Sequence, residues 1–222
     1  MNMIRPPFEN PLNMGIELVF SAVIIALCLI IYFKTKEAFN LTKHKGIYYF
    51  RNTFVFLALA YLFRLSSIFF ILSSLAADIR PRFMMMPFPI IFIGFFSTMA
   101  IISLFLSTTW REFQSKYVTL VLPVTALAIS IASFISREPL ILVSCQATLL
   151  LLTALLSLKF HRKSAKFSKL FAIYILLFFF WILGLVPLSS RRPIPHEYSF
   201  VAQIISFLIF IAIFYKLHKW IK

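Results

Sequence analysis

Residues 15–33 read GIELVFSAVIIALCLIIYF, and Lys34-Thr35-Lys36 follows at once. Nineteen helical residues at about 1.5 Å each cover roughly 29 Å. That matches a hydrocarbon core about 30 Å thick. The run holds one charge, Glu17, near its start, and it is apolar on every face. A membrane strand would be about 9–11 residues long and alternating. The reading is therefore a membrane helix. No small-x-small cleavage site separates it from Lys34 and Lys36, so it is expected to stay in the chain and not to be removed as a signal peptide.

Working outward, six more runs have the same character: 47–74, 87–107, 117–135, 140–158, 168–188 and 198–215. Pro87, Pro139, Pro187, Pro193 and Pro195 stand at their ends, where a helix tolerates proline. Pro123 lies inside the fourth run and predicts a bend or a later start. Over all 222 residues, 61% are apolar and 13% charged. A soluble domain carries roughly 45–50% and about 25%. The balance excludes a soluble enzyme domain and a disordered tail. A secreted disulfide scaffold is excluded too, because Cys28 and Cys145 both lie inside apolar runs. The fold expected is an all-α integral membrane bundle of seven transmembrane helices. It comprises an N-terminal tail at 1–14, the membrane domain at 15–217 and a basic tail at 216–222.

Lys and Arg sort between alternate loops. Lys34, Lys36, Lys43, Lys45, Arg111, Lys116, Lys159, Arg162, Lys163, Lys166, Lys169, Lys216, Lys219 and Lys222 fall on one side. The other side has Arg5, Arg80, Arg82, Arg137, Arg191 and Arg192. The positive-inside rule then puts the N-terminus outside and the C-terminus in the cytoplasm of a cell membrane, as an odd number of spans requires. The net charge of +15 is read as basic inner loops meeting anionic headgroups. Nucleic acid is not expected as a partner, because the charge is split among short segments with no docking domain.

Charge at membrane depth is costly, so the few polar residues inside the runs are the informative ones. Glu17 heads a helical stripe with Ser21, Ile24 and Cys28, and Arg64 belongs to another with Thr53, Ala60 and Ser67. Gln146, Thr153 and Ser157 mark the fifth run, and Ser199, Gln203 and Ser206 the seventh. Such stripes face a bundle interior. The expectation is that Glu17, Arg64, Gln146 and Gln203 converge in the outer half as a ligand site. The competing reading makes Arg64–Glu17 a helix clasp and the glutamines interhelical glue. Phe178-Phe179-Phe180-Trp181 reads as packing and lipid-facing bulk.

Catalytic constellations are missing. The histidines His44, His161, His196 and His218 lie in loops or tails, and Glu17 is the one acid of seven inside a run. There is no His-Glu-x-x-His, no Gly-x-Ser-x-Gly and no glycine-rich phosphate loop. No enzyme activity, metal or cofactor is expected. The last run holds Gln203, Ser206 and Phe210 where a retinal protein needs its lysine. The function expected is a non-enzymatic sensor or receptor-like bundle with an outward-facing polar pocket, signalling to a membrane protein partner. The alternatives are a small-solute transporter or channel, or a structural subunit of a membrane complex.

The segment Lys34-Thr35-Lys36-Glu37, with Leu41-Thr42-Lys43-His44-Lys45-Gly46-Ile47-Tyr48-Tyr49-Phe50-Arg51-Asn52, resembles a short stretch of uncharacterised archaeal multi-pass membrane proteins. That resemblance implies a membrane location and carries no activity. Physically the stretch is a basic loop in which Gly46 is expected to end the first helical extension. Tyr48, Tyr49 and Arg51 are expected to anchor the second span at the interface.

Overall fold

In the computed structural model each apolar run lies inside a helix. The structure describes residues 11–76, 87–110, 116–136, 139–161, 168–189 and 196–221, and no strand occurs among them. The helices are α1 (Pro11–Thr42), α2 (Lys45–Ala76), α3 (Pro87–Thr109), α4 (Lys116–Ser136), α5 (Pro139–His161), α6 (Ser168–Ser189) and α7 (His196–Ile221). Tail residues 1–10 and the loop residues Asp78, Arg80, Arg82, Arg137, Arg162, Lys163, Lys166, Arg191 and Arg192 lie outside the described residues.

Three boundaries differ from the sequence reading, the first being that α1 starts at Pro11, inside the tail expected at 1–14. The expected first loop, 34–46, shrinks to Lys43 and His44, because α1 continues to Thr42. Lysine and glutamate end a membrane-compatible run but not a helix, since both are good helix formers, as is Ala38. The stop is Lys43, whose left-handed φ of 51° lets its N–H donate to the Phe39 carbonyl at 2.7 Å. Gly46, expected to end the first helix, instead lies in the first turn of α2, where its N–H donates to His44 Nδ1 at 3.1 Å. Likewise the segment expected as a tail from residue 216 is helical to Ile221. Helix α4 passes through Pro123.

Helices α1, α2, α3, α5 and α7 are long and apolar enough to cross a membrane. The apolar stretches described in α4 and α6, Val121–Ser136 and Ala172–Gly184, are shorter. The outward faces are hydrophobic: Val19, Phe33, Phe69, Ile135, Leu208 and Tyr215 are all exposed. A soluble protein avoids apolar patches of such extent, so these faces suit lipid.

The helices form a closed ring in the order α1, α2, α3, α5, α6, α7 and back to α1, and α4 lies outside it against α3 and α5. One end of the bundle, the head end, holds the starts of α1, α3, α5 and α7. The foot end holds the α1–α2 turn. The ring has a packed centre. Phe50 of α2 meets Tyr174 of α6 edge-on at 6.0 Å, Tyr61 meets Phe180 at 6.3 Å, and Phe180 meets Phe210 of α7 at 5.0 Å. Tyr174 also donates to Ser107 Oγ of α3 at 2.7 Å, since the Ser107 proton goes to the Leu104 carbonyl. Long aromatic side chains thus join helices whose backbones are not neighbours. The α2–α3 seam is a stack of rings, with Phe63 parallel to Phe92 at 4.8 Å and to Phe96 at 5.4 Å. Of the aromatic run in α6, Phe179 is exposed while Phe180 and Trp181 are buried.

Candidate functional site

The polar stripes read from the sequence are the buried faces. On α1, Ser21, Ile24 and Cys28 are sealed, and on α5 so are Gln146, Leu150, Thr153 and Ser157. Ser206 is buried on α7, and Gln203, one turn toward the head end on the same face, is half-buried.

Glu17 and Arg64 meet. Arg64 Nε donates to Glu17 Oε1 at 2.7 Å and Nη2 reaches the same oxygen at 2.5 Å. The guanidinium lies 5.8 Å from the Tyr61 ring centre. The geometry follows from antiparallel α1 and α2, which also bring Phe20 onto Tyr61 at 6.0 Å. Glu17 is 14% exposed and Arg64 35%, so the arginine keeps one side open. Two donors on one carboxylate oxygen make a strong, oriented contact. Toward the head end, the buried Ser21 Oγ, one turn from Glu17, and Trp181 Nε1 on α6 have no hydrogen-bond partner among the described residues.

Gln203 stands close in height. Helices α1 and α7 run parallel, and Lys34 Nζ meets His218 Nδ1 at 2.5 Å. The same offset sets Gln203 within about one turn of Glu17 along the axis. It makes no hydrogen bond among the described residues.

Gln146 does not join them. Its Nε2 donates to Ser97 Oγ at 2.7 Å and to Thr98 Oγ1 at 3.0 Å. Both hydroxyls pass their own protons to the Gly94 carbonyl, at 3.0 and 2.8 Å. The physical reason is twofold. Helix α5 runs beside α3, α4 and α6, and its backbone is not a neighbour of α1, α2 or α7 among the described residues. Gln146 also sits beside the level of Phe96, whose ring stacks between Phe56 and Phe63, roughly one to two turns footward of Arg64. The expected four-residue convergence is thus an ion pair with Gln203 at its level, and a separate neutral knot across α3 and α5.

The sequence reading did not anticipate a second cluster at the foot end. The Arg51 guanidinium lies over the rings of Tyr32, Phe39 and Tyr48 at 5.0, 5.1 and 5.3 Å. The signal was present as aromatic residues on both sides of the α1–α2 turn, but their sharing of one cation depends on how the two helices pair. No three of His, Cys, Asp and Glu among the described residues come together as a metal site. A shallow apolar groove of about 330 Å³ lies between α5 and α6, lined by Ala147, Thr148, Leu151, Phe178 and Ile182.

Comparison with known proteins adds one uncharacterized relative. The chain is 29% identical over 218 residues to an uncharacterized protein of Archaeoglobus fulgidus, covering 95% of each chain. No family model and no solved structure matches. Together with the apolar helices, the likeness fits a membrane protein of unknown function.

Proposed function

We infer that the chain crosses a cell membrane seven times, head end outside and foot end in the cytoplasm, and acts as a non-enzymatic, receptor-like sensor. Its ligand is a small molecule bearing an anionic group, taken at the outer mouth by Arg64 in exchange for Glu17, with Gln203 as a further hydrogen-bonding contact. The observation that carries this is the half-open Arg64–Glu17 pair set over a packed aromatic centre. Arg64 is partly exposed and aromatic rings lie footward of it, which favours sensing over conduction. The unpartnered Ser21 Oγ and Trp181 Nε1 support polar contacts nearby. The sum of basic side chains at the foot end supports the orientation and contact with anionic headgroups. Any signal passes to a membrane protein partner, since the short connections hold no effector domain.

The test is thermal unfolding of the detergent-solubilised protein with a panel of carboxylates and zwitterions, compared with Arg64→Leu and Glu17→Gln. Stabilisation that Arg64→Leu abolishes, in a variant that still unfolds cooperatively, supports the reading. Solute flux in proteoliposomes would instead favour a transporter. The α5–α6 groove favours a second reading, a structural subunit whose partner helix lies between α5 and α6. Stability that depends on a co-purified partner would support that one.

A further inference from the structure

The foot-end cluster carries an inference beyond the head-end site. Arg51 is half-buried, and its Nε is fully buried with no hydrogen-bond acceptor among the described residues. Among the described residues no carboxylate pairs with it; the ion pair described is Glu17–Arg64 at the other end. Rings stabilise the faces of a guanidinium through their quadrupoles. They accept nothing from its in-plane N–H groups, which remain the strongest donors in the cluster. A second cation shares one ring of the cage: Lys43 Nζ lies 5.7 Å from the Phe39 ring centre, against 5.1 Å for Arg51. Lys43 is held there by a left-handed backbone that disfavours a side chain. Tyr48 is exposed, so the cage opens sideways off the bundle. It also stands at the depth where the apolar run of α1 gives way to charge, the level of a headgroup.

We propose that Arg51 and Lys43, framed by Tyr32, Phe39 and Tyr48, bind a phosphate group, and that it belongs to an anionic lipid headgroup. The planar guanidinium presents paired donors to two phosphate oxygens, and the ammonium adds a point charge. The rings exclude water from the contact and fix the guanidinium plane. The site rests on the reading of the chain as membrane-embedded. It does not depend on the number of spans or on the head-end site.

The experiment is native mass spectrometry and thermal unfolding of the detergent-solubilised chain with phosphatidic acid, with diacylglycerol of the same acyl chains, and with inorganic phosphate. The wild type, Lys43→Gly and Arg51→Gln are compared. Phosphatidic acid should bind and raise the unfolding temperature, and diacylglycerol should not. Lys43→Gly should bind roughly five-fold more weakly, the share of one surface cation. It should be no less stable without lipid, because glycine suits the left-handed turn. Arg51→Gln should bind about ten-fold more weakly or worse. Inorganic phosphate acting alike, with the same dependence on both variants, would keep the phosphate chemistry and make solution its source. Equal effects of diacylglycerol, or unchanged binding in Lys43→Gly, overturn the proposal. Incorporation into vesicles that resists alkaline extraction tests the membrane reading separately, so the two failures are distinguishable.

Discussion

Two of the polar contacts that tie the ring together follow opposite rules. At the head end, α1 and α2 are joined by charge, Glu17 to Arg64, with the arginine partly open. Across α3 and α5 the link is neutral and sealed: Gln146 to Ser97 and Thr98, and both of these to the Gly94 carbonyl. The surroundings account for the difference. Of the apolar window in α3, 61% is buried, against 22–33% in α1, α2, α5 and α7. Three helices crowd α3, and an uncompensated charge there would be expensive. Neutral hydroxyls and an amide close a hydrogen-bond chain without that cost. The charged contact keeps one partner partly exposed. The neutral one is closed off on every side.

The largest effect that would break this contrast is steric. A Cβ on Gly94 would meet Ser130 Oγ of α4 at 3.0 Å. Gly94→Val should destabilise the bundle by about 1–3 kcal/mol through overpacking, read as a lowered unfolding temperature in detergent. Gly94→Ala combined with Ser130→Ala should recover part of the loss relative to Gly94→Ala alone. Next comes Glu17→Ala, which leaves Arg64 without its carboxylate. Because Arg64 is more than a third exposed, the full cost of a buried orphan charge does not apply, and about 1–2 kcal/mol is expected. The pair Glu17→Gln with Arg64→Gln should restore most of it, as a double-mutant cycle would measure. Smaller again is Gln146→Leu, at about 1 kcal/mol, since Ser97 and Thr98 keep their bonds to Gly94. The smallest is a salt effect. Raising ionic strength from 0.1 to 1 M shortens the screening length from about 10 to about 3 Å. The cycle energy of Glu17–Arg64 should fall by a few tenths of a kcal/mol, and that of Gln146–Ser97 should not change.

Much of this architecture is readable from periodicity. The stripe Glu17, Ser21, Ile24, Cys28 and the stripe Gln146, Thr153, Ser157 are inward faces because residues three and four apart share a helix side. What periodicity lacks is the offset between helices. Gln146 and Gln203 lie at similar distances into their own runs, yet only Gln203 falls at the height of Glu17. Helices α2 and α5 are not neighbours, so no local rule relates Gln146 to Arg64. The nine residues of α1 after Phe33 escaped the same reading because charge ends a membrane-length run without ending a helix. The Arg51 cage escaped because its rings come from two helices. Gly94 was legible as a glycine, but its close neighbour Ser130 comes from another helix.

The contact between α1 and α7 makes assembly of this molecule a matter of order in time. A ribosome delivers α1 well before α7, so the flank of α1 that carries Lys34 has no mate until α7 has been made. Chains released early would lack the closing segment and display that seam, a ready mark for quality-control proteases.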